Sequence, residues 1–131
     1  FLGEIPRETH FESDATSFIL EDGSPDFIPD DSAVAVILPN GLFVITGCGH
    51  SGIVNTLEYS KKVTGVSKIY GIMGGFHLKT VDNKVKKTVE YLQENNVKKI
   101  IPMHCVDTPV RSFFQQKIGI TEVKTGDTII F

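Results

Sequence analysis

The sequence predicts an α/β fold, a mixed sheet with helices on one face, on three observations. An apolar run, Ala33–Leu38, meets the tight-turn signal Pro39-Asn40-Gly41 and a second strand-forming run that ends at Thr46. Strands and helices then alternate, which favours parallel neighbours joined by crossovers. His50, His77 and His104 recur at intervals of 27 residues, each in a loop just past a strand.

Residues 1–12, FLGEIPRETHFE, mix apolar and charged side chains around Pro6 and read as a strand end followed by a loop. Arg7, His10 and Glu12 there are either pocket-lining residues or parts of an exposed loop. Residues 18–20 are a short strand candidate that stops at the turn Glu21-Asp22-Gly23. Residues 24–31 hold two prolines and three aspartates and read as loop. Asp30 and Asp31 are candidate carboxylate ligands, or simply solvated loop acids. The hairpin around Pro39-Asn40-Gly41 follows. Neither of its arms alternates cleanly, so both faces of the sheet are expected to be covered there.

Ser51 is placed to cap a helix over residues 52–64, with Gly65 as its terminator. A strand over 68–73 runs into Gly74-Gly75-Phe76-His77. Asp82 then caps a second helix, whose Val81, Val85, Val89 and Leu92 share one face. Lys84, Lys86, Lys87, Glu90 and Glu94 fall on its solvent side. A strand over 98–101 runs into Pro102-Met103-His104-Cys105. Thr108 followed by Pro109 opens a third helix that Gly119 ends. Residues 121–123 and 128–131, around Gly126-Asp127, read as a closing hairpin.

At 131 residues the chain is a single domain or part of one, long enough to bury a core. Its net charge of −3 gives no electrostatic reason to expect nucleic acid or a membrane as partner. No apolar run approaches the roughly 20 residues that span a bilayer. Two cysteines are too few for a disulfide framework, so a reduced, cytoplasmic setting is expected. The chain starts at Phe1, as if entered in mid-strand, which is what a fragment, a processed product or part of a longer polypeptide would show.

The three histidines define the candidate chemistry. Parallel strands of similar length bring their loops to one sheet edge, where imidazoles from neighbouring strands can converge on an ion. Neutral imidazole suits zinc, iron or nickel, and open coordination positions suit catalysis. Cys48 and Cys105 flank the same loops. A closed two-cysteine, two-histidine zinc site normally takes its cysteines from one tight knuckle. On separate loops, they read instead as small buried thiols standing behind the imidazoles. Gly74 and Gly75 could let backbone N–H groups approach an anionic ligand, or could simply serve a turn. Arg7, Lys79 and Arg111 are basic residues near loops that could receive a phosphate.

The stretches GLFVITGCGHSGIVN, YGIMGGFHL and IIPMHC resemble the carboxyl-terminal half of the metallo-β-lactamase superfamily. FLGEIPRETHFE and PDDSAVAV extend the likeness over nearly the whole chain. The branch is that of metal-dependent hydrolases related to the dihydropterin–ribofuranosylaminobenzene-phosphate synthases of methanopterin biosynthesis. The resemblance implies half of an αββα sandwich with a metal site, often dinuclear, at one edge. It places His50 at the third metal motif and His104 at the last. His77 takes the position of a bridging aspartate in many members, so it is either a ligand or a substrate contact. The implied cofactor is a divalent metal, zinc first, with iron, manganese or nickel as alternatives.

The superfamily's leading H-x-H-x-D-H motif is absent from these residues and is expected upstream of Phe1. The implied function is metal-dependent hydrolysis of a pterin- or phosphate-bearing small molecule. A non-catalytic metal-binding subunit, or a fragment inactive without its upstream half, is the alternative. The expected partner is the missing amino-terminal half or a self-complementing dimer, because the sheet would otherwise expose one face.

Overall fold

The computed structural model describes residues 1–13, 16 and 18–130. In chain order the elements are α1 (His10–Ser13), β1 (Phe18–Ile19), β2 (Pro25–Asp26), β3 (Ala33–Leu38), β4 (Gly41–Thr46), α2 (Ile53–Thr64), β5 (Ile69–Gly74), α3 (Asn83–Glu94), β6 (Lys99–Pro102) and α4 (Thr108–Lys117). The main sheet has the order β3-β4-β5-β6, antiparallel at β3–β4 and parallel thereafter. The mixed sheet and its alternation with helices are therefore as the sequence predicts.

The hairpin turns where expected, with Leu38 paired to Gly41. Gly41 has φ +124°, and a Cβ there would lie 2.6 Å from the Lys68 carbonyl oxygen, so the position requires glycine. One face of the sheet carries the row Val44, Ile72 and Ile100. Against it pack Ile53, Val54 and Leu57 of α2, Val85, Val89 and Leu92 of α3, and Val110 and Phe114 of α4, all in one buried cluster. The other face carries Val34, Ile45, Met73 and Ile101 in one row, with Val36, Phe43 and Gly71 in the next. Residues of the 123–129 segment line a cavity together with Phe43, Ile45, Met73 and Met103. Phe43 and Ile101 are buried there, but Val34 and Val36 are 41% and 37% exposed. Both faces are thus covered at β4 and not at β3, the edge strand of the sheet.

Five local expectations are corrected. Residues 1–12 are not a strand end followed by a loop, because residues 1–9 form no strand and α1 begins at His10. The 24–31 segment is not all loop either, since Pro25–Asp26 pairs with Phe18–Ile19. Ser51 does not cap α2. Gly52 stands at that position with φ +97°, and the cap comes from Glu12, whose carboxylate accepts the Val54 and Asn55 N–H groups at 3.0 and 2.7 Å. A Cβ on Gly52 would fall 2.3 Å from that carboxylate. At α4 the cap position is Asp107, one residue before the expected Thr108. The closing hairpin does not form among the described residues, and Phe131 lies outside them. Thr121 instead donates its N–H to Ile100, and residues 124–127 close a turn of their own.

The other caps agree with the sequence. Asp82 accepts the Val85 N–H at 2.9 Å, and Gly65 ends α2 in the left-handed region. Val81, however, stands outside α3 and is 36% exposed.

Candidate metal centre

The three histidine loops leave one edge of the sheet, as parallel β4, β5 and β6 require. Glycines set how closely they approach. Gly75 donates its N–H to the Gly47 carbonyl at 2.8 Å, and its own carbonyl accepts the Thr46 hydroxyl at 2.7 Å. A Cβ on Gly75 would sit 2.7 Å from Gly47 O, 2.8 Å from Cys48 Cα and 2.8 Å from His104 Nε2. Glycine at 75 is what admits the Cys48 loop and the His104 ring to the same spot. The ladder resumes beyond the loops, where Leu78 bridges Val106, with Leu78 N–H donating to Cys105 O and Asp107 N–H to Leu78 O, both at 3.0 Å. His77 and Cys105, immediately before that bridge, both have positive φ, +46° and +56°. Left-handed backbone at residues that are neither Gly nor Asn costs energy and concentrates where side chains must be aimed.

The structure sorts the expected ligands into two groups. His50 and His77 pack edge to face with centroids 4.5 Å apart. Asp31 stands behind His50, its Oδ1 4.0 Å from Nδ1, while its Oδ2 accepts the Ser51 N–H at 2.8 Å. His104 belongs to the other group. Its Nε2 lies 3.3 Å from Cys48 Sγ, and Cys48, His104 and Cys105 bring their donor atoms within 4.8 Å of one another.

The first group fits a metal ion. Nδ1 of His77 is buried without a hydrogen-bond partner, a costly state that an ion would relieve. Burial first, then the charges of His50, Lys79 and Lys84, holds the His77 pKa below its ordinary 6.5, which keeps the imidazole neutral and able to ligate. The Asp31 carboxylate, at 4.0 Å from Nδ1 of His50, is close to that ring but not hydrogen-bonded to it. In the second group, burial followed by the neighbouring Cys105 pushes the Cys48 thiol above its usual 9.0.

The other candidates are placed as follows. Arg7 lines a small cavity of about 90 Å³ with Phe18, Ile28, His50, His77 and Lys84. Its guanidinium donates to the Phe27 carbonyl at 2.7 Å and lies over the Phe27 ring. Lys79 is exposed next to His77. Arg111 is held away from any ligand role, donating to the carbonyls of Met103 and Val106 and bracing the His104 loop. Asp30 is exposed, whereas Asp31 is buried.

Two residues at this site, Lys84 and Phe18, escaped the sequence reading. Lys84, expected on the solvent side of its helix, is half-buried in the cavity beside the imidazoles. Phe18 stacks its ring 5.3 Å from His50 and 5.9 Å from His77. Asp31 was left undecided. Its place in the PDD run just before β3 was the available signal.

No model of a known protein family matches the chain. It is 35% identical over 123 residues to the 7,8-dihydropterin-6-methyl-4-(β-D-ribofuranosyl)-aminobenzene-5′-phosphate synthase of Methanocaldococcus jannaschii, across 88% of this chain and 42% of that protein. It is 41% identical over 106 residues to an uncharacterised protein of the same archaeon, across 79% of this chain and 38% of that one. In the crystal structure of a metal-dependent hydrolase of the β-lactamase superfamily, the fold superposes with a TM-score of 0.79, at 28% identity over 92% of this chain and 50% of that one. The chain is related to the metallo-β-lactamase superfamily. It spans half or less of the length of each of these proteins. Its four-stranded sheet with helices matches that metallo-β-lactamase fold, as the quoted motifs predicted. Among the described residues, no helix is long and apolar enough to cross a membrane.

Proposed function

We propose that this chain supplies one wall of a metal-dependent hydrolase centre. The observation that carries the reading is the buried, unpartnered Nδ1 of His77 beside His50, with Asp31 behind His50. In this reading His50 and His77 hold a divalent ion, zinc first, and His104 stands in the neighbouring loop with the two thiols. When bound, such an ion acidifies water and polarises the oxygen under attack. Asp31, near Nδ1 of His50, leaves Nε2 as the ring nitrogen that faces the ion. Phe18 closes the cavity over both rings and limits water there.

A pterin- or phosphate-bearing small molecule is the proposed substrate, supported by the similarity to the archaeal synthase and by three cations near the imidazoles. Arg7 and Lys84 line the cavity, and Lys79 stands outside it. Gly74 and Gly75 contribute to this reading through close packing, since the Gly75 N–H is already bonded to Gly47.

The proposed partner is an amino-terminal half carrying further ligands, or a second copy, placed on the sheet face of Val34 and Val36. That is consistent with the 42% and 38% spans of the archaeal relatives. The test is turnover of ester and phosphodiester substrates with added divalent metal. The chain alone should match a metal-free control, and the chain joined to an upstream half should turn over. His77→Ala and His50→Ala should each abolish that turnover. Metal-dependent turnover by the joined protein that survives both substitutions would refute the reading.

A further inference from the structure

We infer that Cys48, His104 and Cys105 form a metal position of their own, a donor set of two sulfurs and one nitrogen suited to a thiophilic ion such as zinc. It lies beside the position of His50 and His77. The inference goes beyond the hydrolase reading and stands whether or not the chain is a hydrolase, and it moves His104 from the imidazole pair to the thiols.

Among the described residues, these three are the one group of His, Cys, Asp or Glu side chains whose donor atoms lie within 4.8 Å of one another. A tetrahedral zinc ion with Zn–S of about 2.3 Å and Zn–N of about 2.0 Å sets its sulfur and nitrogen donors roughly 3.5 Å apart, and two sulfurs about 3.8 Å apart. Cys48 Sγ and His104 Nε2 are already at 3.3 Å. That pair needs almost no movement, and the remaining pairs, within 4.8 Å, need to close by at most about 1.3 Å. Soft thiolates with imidazole favour zinc over magnesium or calcium.

The backbone around the three residues is shaped to bring them together. Glycine at 75 removes the Cβ that would strike both Cys48 Cα and His104 Nε2. Cys105 is held at φ +56°, and its carbonyl is fixed by Leu78. The guanidinium of Arg111 spans the Met103 and Val106 carbonyls on either side of His104 and Cys105. Both thiols are free and half-buried, while His104 is exposed. An ion reaching them from solvent therefore keeps its fourth position toward the open side. The cysteines come from separate loops, which in sequence argued against a shared ion. The parallel register of β4, β5 and β6 supplies the closeness that a knuckle would otherwise give.

The probe is cobalt, with zinc as competitor, on reduced, metal-free protein. Cobalt should give a thiolate-to-metal charge-transfer band in the near ultraviolet and the intense visible bands of a tetrahedral site, and zinc should displace it. Cys48→Ser and Cys105→Ser should each remove most of the charge-transfer band. Each should also weaken zinc binding by more than the roughly 10–100-fold that loss of a residue outside the coordination sphere produces. Folded His50→Ala protein should keep the band.

Alkylation of the unsubstituted protein guards against misfolded variants, since bound zinc should protect both thiols. A charge-transfer band missing from the reduced protein, or thiols that zinc leaves open to alkylation, would overturn the inference. So would a band lost in folded His50→Ala, because the thiols would then share the ion of the imidazole pair. Hydrolytic activity enters none of these readings, so failure of the hydrolase assignment stays separate.

Discussion

Glu12 and Asn55 hold each other's segments in place. The Glu12 carboxylate accepts the Asn55 backbone N–H at 2.7 Å, and the Asn55 side chain accepts the N–H groups of Glu8 and Thr9 at 3.1 and 2.8 Å. The α1 segment thereby closes the amino end of α2, the helix that follows the His50 loop. Removing the carboxylate leaves buried N–H groups without acceptors, which costs about 1–3 kcal/mol. Glu12→Ala should therefore lower the urea midpoint and weaken metal binding at His50, while Glu12→Gln, which keeps one acceptor, should lose less.

The same carboxylate sets a pH dependence. Burial, against the opposing backbone hydrogen bonds, raises the Glu12 pKa above its ordinary 4.5. The folded protein then binds more protons than the unfolded chain as pH rises from 4.5, so this group's contribution to stability falls through that window. Glu12→Gln should flatten that part of the curve relative to the unsubstituted protein. Parallel curves for the two, from urea midpoints taken at several pH values above 4.5, would contradict it.

Gly75→Ala tests the packing between loops. The added methyl meets the Gly47 carbonyl, Cys48 and His104, so overpacking should cost about 1–3 kcal/mol. It should also push Cys48 away from His104, which alkylation of Cys48 in the presence and absence of zinc would show.

His77→Asn separates stability from ligation. Asn tolerates φ near +46° better than His does and removes the imidazole that would ligate the ion. Without metal the variant should be as stable as the parent or more so, by up to about 1 kcal/mol. With metal added, the parent should gain in melting temperature and the variant should gain far less.

The hairpin, the three helices and the histidine loops were legible because each rests on local periodicity or turn chemistry. The site's inner arrangement was not. Glu12 meets Val54 across 42 residues, and Asp31 meets Ser51 across 20, so neither pairing leaves a local pattern. Lys84 was set on the solvent side because a helical wheel shows which face meets the core, not which end meets a loop cavity. Cys48 and Cys105 were held apart because sequence spacing cannot reveal the parallel register that brings their strands' exits together. The absent closing hairpin failed for a related reason. Its turn at Gly126-Asp127 is local, but residues of the 123–129 segment line a cavity with Phe43, Ile45, Met73 and Met103 of the sheet face instead of pairing with one another.

The bridge between Leu78 and Val106 means that the loops bearing His77 and His104 are each pinned at both ends by β-ladder. Such a loop has little conformational entropy left to lose when an ion arrives, because folding has already ordered it. Ligand capture here is thus a rigid-receptor event: association should be fast, with little heat-capacity change, and should leave the amide exchange rates of Leu78 and Asp107 nearly where they were in the metal-free protein.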